Sequence, residues 1–370
     1  MRKLTLALLA AAATAFASAP TTAQEIVIAS VGPMTGQYAA FGEQMRRGAE
    51  MAVADINAKG GVLGRKLKLE IGDDACDPRQ ARAVATQMAG RKVAFVAGHF
   101  CSSSSIPASE VYSEAGILQI TPASTNPKLT DEAAAKGWIN VFRTCGRDDQ
   151  QGTVAGGYIA NKCKGKNVAI IHDKSTYGQG IADETKKALN AKGVKETMYE
   201  GITQGDKDFS ALISKMKAQR IDVAYLGLYH TEGGLLVRQG REQGLTAQFI
   251  SEDAFVTDEF WKITGKAGEG TLMTFAPDPR NAAGAKQVVA RFKQQGYDPE
   301  GYTLYTYAAI QVWAEAVAKT KSLKVTDLSK AIRGGKYNTL LGELHYDKKG
   351  DVSNSKYVFY VWKDGKYLEM

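Results

Sequence analysis

Residues 26–61, IVIASVGPMTGQYAAFGEQMRRGAEMAVADINAKGG, contain a strand pattern followed by a helix pattern and decide the fold class. The consecutive β-branched residues Ile26, Val27 and Ile28 predict a buried strand. Apolar side chains then recur at helical spacing, at Met45, Ala49, Ala52, Val53 and Ile56. The pair Gly60 and Gly61 is expected to end this helix. The segment therefore predicts one βα unit.

The alternation of strands and helices continues along the chain and begins a second time after residue 167. The first series predicts strands at 67–71, 93–96 and 117–120 and helices at 81–88 and 106–114. The second series predicts strands at 168–171, 223–228 and 249–250 and helices at 181–193, 233–243 and 302–319. Strands that alternate with helices form mainly parallel sheets covered on both faces. The sequence thus predicts an α/β fold with two doubly wound lobes and a cleft between them.

The first 23 residues have the pattern of a secretory signal peptide. Arg2 and Lys3 precede an apolar run over residues 4–19, and small residues follow, with cleavage expected after Ala23. The apolar run is shorter than the roughly 20 residues that a membrane-spanning helix needs. No cysteine follows the small residues, so we expect a freely soluble protein in a Gram-negative periplasm.

Length and charge narrow the class of protein further. Removal of 23 of the 370 residues leaves 347, which suits two lobes of roughly 150 residues each. The net charge falls from +8 to +6, because Arg2 and Lys3 leave with the signal peptide. The remaining basic residues are scattered among 39 acidic ones, which indicates a solvated surface and argues against nucleic-acid binding.

Four cysteines remain after the signal peptide, namely Cys76, Cys101, Cys145 and Cys163. Export places them where thiols oxidise, and an even count suggests disulfides. Three pairings are possible, and pairing of sequence neighbours joins Cys76 to Cys101 and Cys145 to Cys163. Zinc is the alternative, but no two cysteines have the C-x-x-C spacing of zinc sites. We therefore expect disulfides and no metal.

The sequence lacks the short motifs of common enzyme classes. It contains no GxxxxGK[ST] phosphate loop, no GxGxxG after the first strand, no GxSxG elbow and no HExxH. The four histidines, His99, His172, His230 and His345, have no paired ligand motif. We therefore predict a protein without catalysis and without a cofactor.

Two polar loops follow predicted strands of the first lobe, where folds of this kind bind their ligands. The first holds four consecutive serines, residues 102–105, before a helix with Pro107 near its start. Its hydroxyl groups and free N–H groups suit a carboxylate, although a serine there can also serve only as a helix cap. The second loop, residues 121–127, offers further hydroxyl groups and unpaired backbone groups.

The second lobe offers acids and tyrosines after its strands. Glu252 and Asp253 follow the strand at 249–250, and either is a candidate acceptor for an ammonium group or an ordinary surface acid. Tyr177 and Tyr229 also follow predicted strands, and they either close over a ligand or pack in the core.

Several motifs together resemble the leucine, isoleucine and valine binding proteins of the type I periplasmic binding fold. They are VADINAKGG at 53–61, DDACDP at 73–78, GHFCSSS at 98–104, TPA at 121–123, HDK at 172–174, YG at 177–178, KDFS at 207–210 and TYAA at 306–309. The similarity covers essentially the whole chain after residue 23. It implies a protein that binds a free amino acid of the branched-chain class and delivers it to a membrane ABC permease.

The resemblance also implies a role for individual residues on both sides of the cleft. Ser102, Ala123 and Thr125 are expected to hold the carboxylate and part of the ammonium group. Glu252 is expected to pair with the ammonium group from the second lobe. The remaining ligand-binding residues close the cleft or line the side-chain pocket, and they are Tyr177, Tyr229, Phe100, Phe41 and Tyr302.

Two features of the chain differ from the relatives in this comparison. A tyrosine stands in those relatives at the position of Phe41 and a phenylalanine at that of Tyr302, which moves a hydroxyl group within the pocket wall. Cys76 and Cys101 match the disulfide of the family. Cys145 and Cys163 have no counterpart, so a second bridge between them is a hypothesis from compartment and even count alone.

The implied architecture has three chain crossings between the lobes, near residues 144–146, 274–276 and 353–355. Lobe 1 then comprises 24–144 and 275–354, and lobe 2 comprises 145–274 and 355–370. We expect a monomer that closes on its ligand about this hinge. The alternatives are the same fold with another ligand (an amide, urea or aromatic acid), a receptor-coupled sensor, and a periplasmic hydrolase. Glu252 favours an amino acid, because a ligand without an ammonium group leaves this acid unpaired.

Overall fold

The computed structural model describes residues 24–370. The predicted signal peptide, residues 1–23, lies outside the described residues. Within 24–370, no helix combines the length and the apolar character that crossing a membrane requires.

The described chain alternates strands and helices almost throughout. The strands are β1 (Ile26–Gly32), β2 (Leu67–Asp73), β3 (Phe95–Gly98), β4 (Leu118–Thr121), β5 (Val141–Arg143), β6 (Val168–His172), β7 (Met198–Gly201), β8 (Val223–Gly227), β9 (Gln248–Ser251), β10 (Leu272–Phe275), β11 (Lys336–Thr339), β12 (Gly342–His345), β13 (Val358–Lys363) and β14 (Lys366–Glu369). The helices are α1 (Ala39–Ala58), α2 (Pro78–Gly90), α3 (Ser102–Glu114), α4 (Lys128–Ala135), α5 (Asp148–Lys162), α6 (Thr176–Ala191), α7 (Ser210–Ala218), α8 (His230–Glu242), α9 (Asp258–Thr264), α10 (Lys286–Gln294), α11 (Thr303–Thr320) and α12 (Val325–Gly334).

Two sheets with the same strand order form the centres of the two lobes. The first has the order β2-β1-β3-β4-β5, and all its pairs are parallel. The second has the order β14-β13-β10-β9-β8-β6-β7, in which the strands from β6 to β10 are parallel and repeat the order of the first sheet. Its last two strands, β13 and β14, are antiparallel additions at the edge. The predicted α/β class with two mainly parallel lobes is confirmed.

The chain passes three times between the two sheets. It leaves the first sheet after β5, returns to the first lobe after β10, and enters the second sheet again at β13. Helix α11 packs against α1 and β3, and the stacked rings of Trp313 and Phe95, 5.2 Å apart, lie in this contact. The exact lobe boundaries near 144, 274 and 354 remain a prediction.

The serine segment at residues 102–105 is the first turn of α3 and not part of the preceding loop. The carbonyl of Cys101 accepts hydrogen bonds from the amides of Ser104 and Ser105, both at 2.9 Å, which starts the helix at Ser102. Pro107 consequently lies inside the helix.

The cysteine predictions have different outcomes. Cys76 and Cys101 form a disulfide with their Cα atoms 5.5 Å apart, as predicted. The predicted bridge between Cys145 and Cys163 is wrong, because both thiols are free. Helix α5 lies between the two residues, and at 1.5 Å per residue it separates them by about 25 Å. A disulfide requires Cα atoms within about 7 Å.

The fold therefore predicts two free thiols in the protein. Alkylation after denaturation without a reductant should modify two cysteines, and alkylation after reduction should modify four. Peptide mass spectrometry should place the two reactive thiols at Cys145 and Cys163. Complete resistance to alkylation before reduction would contradict the structure, because it would require a second disulfide.

Candidate functional site

The loops at the carboxyl ends of strands in both sheets meet between the lobes. In the first lobe, Phe100 and Ser102 follow β3, while Ala123 and Thr125 follow β4. In the second lobe, Tyr177, Tyr229 and Glu252 follow β6, β8 and β9. Phe41 lies on α1 and Tyr302 immediately precedes α11. All nine predicted site residues are buried at this junction.

An aromatic wall joins five of the predicted residues. The ring of Phe41 stacks on that of Phe100, with centroids 4.4 Å apart, and Phe100 contacts the edge of Tyr302 at 5.2 Å. The ring centroid of Phe41 also lies 6.4 Å from that of Tyr229, and the ring centroids of Tyr229 and Tyr177 are 5.0 Å apart. Because these residues come from both lobes, the wall forms only when the lobes are together.

Two further aromatic residues that the sequence analysis did not select extend this wall. Tyr38 lies 4.4 Å from Tyr229, and His230 contacts the face of Phe41 edge-on at 4.8 Å. Burial lowers the pKa of His230 to about 4, so its ring is neutral near pH 7. The wall is therefore an uncharged surface suited to an apolar side chain.

Polar groups of the first lobe face the same junction. Ser102 is the first residue of α3, and its hydroxyl accepts a hydrogen bond from the amide of Asn126 at 3.3 Å. The hydroxyl of Thr125 is buried without a partner among residues 24–370. Ala123 contributes buried backbone in the same loop. Together with the positive N-terminus of α3, this arrangement suits a carboxylate.

A buried hydrogen-bond network behind these loops fixes their positions. His99 binds Asp74 through Nδ1 at 2.6 Å and Tyr112 through Nε2 at 2.9 Å. The His99 carbonyl accepts hydrogen bonds from the hydroxyls of Ser105, in the first turn of α3, and Thr121, at the end of β4, which border the two ligand loops. Because both nitrogens of His99 are occupied, the network has a structural role and does not supply a base for catalysis.

The adjacent acids Glu252 and Asp253 both contact the hydroxyl of Tyr177 but differ in their other hydrogen-bond partners. The carboxylate of Glu252 accepts hydrogen bonds from the amides of Leu228 at 3.2 Å and Ala254 at 2.6 Å, and from the hydroxyl of Tyr177. Glu252 is therefore largely satisfied by its own lobe.

The carboxylate of Asp253 lies between the lobes. It accepts hydrogen bonds from the hydroxyl of Tyr177 at 2.9 Å and from that of Tyr302, which belongs to the first-lobe segment before α11. Burial raises the pKa of Asp253, and the two phenol hydrogen bonds oppose this rise. Burial, and then repulsion from Asp253, raise the pKa of Glu252 well above its ordinary range.

A third buried acid, Asp148, lies at the start of α5 and was not selected from the sequence. Neither carboxylate oxygen has a hydrogen bond of good geometry among residues 24–370. Burial, and then repulsion from Asp253, raise the pKa of Asp148 well above its ordinary range, although the nearby hydroxyl of Thr125 acts to lower it. Three acids thus share one buried region, and within the described chain no lysine, arginine or histidine forms a salt bridge with any of them. Such a region favours a cationic group.

The described residues contain no group of three His, Cys, Asp or Glu side chains placed to hold a metal ion. The site instead combines donors for an anion, buried acids for a cation and an aromatic wall. These are the elements that bind a small zwitterion with an apolar side chain.

Comparisons with known proteins agree with this description. The family model for periplasmic binding proteins matches residues 25–366. An amino acid binding protein of Pseudomonas aeruginosa is 52% identical over 350 residues, covering 94% of this chain and 92% of that protein. The Leu/Ile/Val-binding protein homolog 1 of Brucella suis is 50% identical over 346 residues, covering 92% of each. A solved ABC transporter substrate-binding protein from Desulfitobacterium hafniense, in complex with Leu, is 28% identical with a TM-score of 0.76, covering 94% of this chain and 100% of that one.

The buried charge of Asp148 predicts that Asp148→Asn stabilises the protein. Because the folded state raises the pKa of Asp148, its ionisation costs stability once the pH exceeds the ordinary value of 3.8. The α5 N-terminus offsets only part of this cost. We expect the melting temperature of Asp148→Asn to exceed that of the native protein at pH 8, by about 2 °C per kcal/mol gained, and to match it more closely at pH 4.

The neighbouring Asp149 supplies the matched control for this prediction. Although burial acts in the opposite direction, hydrogen bonds from Arg147 hold the pKa of Asp149 below its ordinary value. Asp149→Asn should therefore leave the melting temperature at pH 8 unchanged or slightly lower. A lower melting temperature for Asp148→Asn than for Asp149→Asn at pH 8 would contradict the prediction.

Proposed function

The chain belongs to the periplasmic binding protein family, and from this premise we propose that it binds a free branched-chain amino acid between its lobes and delivers it to an ABC permease. Family and relatives are solute-binding proteins and not enzymes. One observation carries the proposal. Asp253, a buried acid, accepts hydrogen bonds from both lobes, and the buried donors at Ser102 and Thr125 line the same junction. The names of the relatives, which refer to leucine, isoleucine and valine, support the choice of ligand class.

We assign the ligand carboxylate to the first lobe. Ser102 at the start of α3 and the buried hydroxyl of Thr125 supply donors, and the helix dipole adds a favourable field. The amide of Ala123 already donates to the hydroxyl oxygen of Thr121 at 3.2 Å, so Ala123 borders the carboxylate without adding a free donor. The loop cannot rearrange easily, because the carbonyl of Ser124 accepts a hydrogen bond from buried Arg143 at 2.7 Å. A preorganised loop of this kind loses little entropy when a ligand binds.

We assign the ligand ammonium group to Asp253, and not to Glu252 as the resemblance implied. Two backbone amides already engage Glu252, whereas Asp253 accepts a hydrogen bond from the hydroxyl of Tyr302 in the first lobe and shares the single hydroxyl of Tyr177 with Glu252. An ammonium group beside Asp253 also compensates the electrostatic repulsion that Asp253 exerts on Asp148 and Glu252. Tyr177 and Tyr302 then hold the carboxylate in place, and Tyr229 closes the wall beside them.

We assign the ligand side chain to the aromatic wall of Phe41, Phe100 and Tyr302. An aliphatic chain gains about 0.8 kcal/mol for each CH₂ group that it buries there. An aromatic or aliphatic acid without an ammonium group would leave the buried acids uncompensated, which disfavours these ligands. The proposal further includes a monomer that closes about the three crossings. Its lobe 1 comprises residues 24–144 and 275–354, and its lobe 2 comprises residues 145–274 and 355–370.

The acid assignment predicts a specific loss of binding. With the refolded mature protein, we expect a large thermal shift with leucine, isoleucine or valine. Asp253→Asn should weaken leucine binding by roughly a hundredfold or more, because the ammonium group loses a buried charge partner. Glu252→Gln should have a clearly smaller effect, and isothermal titration calorimetry measures both.

A ligand pair provides the control. The 2-oxo acid analogue of leucine keeps the carboxylate and the aliphatic chain but lacks the ammonium group. The native protein should strongly prefer leucine, and Asp253→Asn should lose most of this preference. Equal losses for both ligands would refute the assignment to Asp253, and an absence of any shift with all twenty amino acids would refute the ligand class.

Export and maturation give a further prediction. When the full chain is produced in a Gram-negative host, N-terminal sequencing of the periplasmic fraction should begin at Gln24, because the small residues before it suit signal peptidase. Light scattering after size exclusion should give the mass of one mature chain. A retained N-terminus or a cytoplasmic location would contradict the proposed localisation.

A further inference from the structure

A second contact between the lobes lies beyond the proposed ligand groups. Gln37 and Tyr38, immediately before α1, belong to the first lobe, and Glu232 on α8 belongs to the second. The amide Nε2 of Gln37 donates to Glu232 at 3.0 Å, and the hydroxyl of Tyr38 lies 3.3 Å from both of its carboxylate oxygens. The hydroxyl of Thr231 also donates to the carbonyl of Gln37 at 3.2 Å.

The carboxylate of Glu232 is fully buried in this contact. From its own lobe it accepts one further hydrogen bond, from the amide of Gly205 at 2.7 Å. Separation of the lobes therefore removes the donors of Gln37 and Tyr38 from a charged acceptor. Hydrogen bonds to a charged group are stronger than neutral ones, so their formation favours the closed arrangement.

Gln204 extends the contact within the second lobe. Its Nε2 donates to the hydroxyl oxygen of Tyr38 and to Asp173, both at 3.2 Å. The Tyr38 hydroxyl can thus donate to Glu232 while it accepts from Gln204. Because the hydroxyl is both a donor and an acceptor, these hydrogen bonds fix the orientation of the Tyr38 phenol.

The contact is distinct from the proposed acid site but is connected to it through one ring. Tyr38 turns its hydroxyl towards Glu232, while its ring packs at 4.4 Å on Tyr229 of the aromatic wall. The hydrogen bonds of Glu252 and Asp253 involve Tyr177 and Tyr302 instead. Formation of this contact and completion of the wall therefore occur together.

We propose that Gln37, Tyr38 and Glu232 form an interlobe latch that stabilises the closed arrangement and strengthens ligand binding without contacting the charged groups of the ligand. The effect on affinity rests on the proposed function, whereas the effect on closure does not. A ligand that binds only the closed arrangement gains affinity in proportion to the population of that arrangement. Tyr38 and Glu232 thus act as positioning residues.

Leucine titrations of the refolded mature protein test the latch. Tyr38→Phe keeps the ring on Tyr229 and removes only the hydroxyl, and Glu232→Gln removes the charge. Each should raise the dissociation constant of leucine about three- to tenfold. In the double variant the increase should be smaller than the product of the single increases, because both changes remove the same interaction.

Two variants within the first lobe serve as controls. Tyr307→Phe also removes a phenol hydroxyl that donates to a carboxylate, that of Asp55 at 2.7 Å, but it leaves the lobe contact intact. Glu43→Gln removes an acid of α1 that pairs with Arg46 and Arg47 on the same helix. Both should bind leucine like the native protein. Melting curves check that every variant is folded.

The outcomes separate the latch from the proposed function. If leucine binds the native protein and the latch variants equally, within twofold, the latch is refuted. If leucine does not bind the native protein, the proposed function fails, and small-angle scattering without ligand decides on the latch alone. A larger radius of gyration for Tyr38→Phe and Glu232→Gln than for the native protein and Tyr307→Phe would then support it, and equal radii would refute it.

Discussion

Three carboxylates, those of Asp148, Glu252 and Asp253, share one buried region between the lobes. The proposed binding mechanism depends on the free energy that ionisation of these buried acids costs. Burial raises the pKa of each acid, and mutual repulsion adds to the rise for Asp148 and Glu252. Hydrogen bonds from Tyr177 and Tyr302 reduce the cost but carry no charge. A bound ammonium group offsets the remaining cost, and it does so only when both lobes surround it. Charge compensation and lobe closure are therefore one process in the proposed mechanism.

Closure requires rigid loops that approach one another without rearranging. In the first lobe, the Cys76–Cys101 disulfide, the His99 network and the buried side chain of Arg143 fix the two loops that face the cleft. Arg143 also forms an ion pair with Asp351 at 2.6 Å, close to the third crossing between the lobes. The same residues that position the anion donors thus connect them to the hinge. The proposed closure therefore places the motion at the three crossings, as in hinge closure between rigid bodies.

Much of the fold and part of the site could be predicted from the sequence. Strand and helix periodicity gave both parallel sheets, and the family motifs brought nine residues to one junction. Helix α5 was missed because Gly152 and Gly156 weaken its apolar pattern. These glycines instead allow close packing on α6, where a Cβ added at Gly152 would lie 2.8 Å, and one added at Gly156 2.7 Å, from the nearest backbone atom of that helix. The same helix separates Cys145 from Cys163, so the error about their bridge had the same origin.

The remaining differences concern side-chain direction, which no local pattern encodes. Glu252 and Asp253 are adjacent at the start of the 3₁₀ turn Asp253–Phe255, yet backbone amides of the second lobe bind Glu252 and the first-lobe hydroxyl of Tyr302 binds Asp253. Asp148 and Tyr38 acquire their roles only from residues distant in sequence. A crystal structure of the protein with leucine tests the acid assignment most directly. We expect the leucine nitrogen within about 3 Å of an Asp253 carboxylate oxygen and the leucine carboxylate at Ser102 and Thr125. An ammonium group bound to Glu252 alone, or leucine outside the cleft, would contradict it.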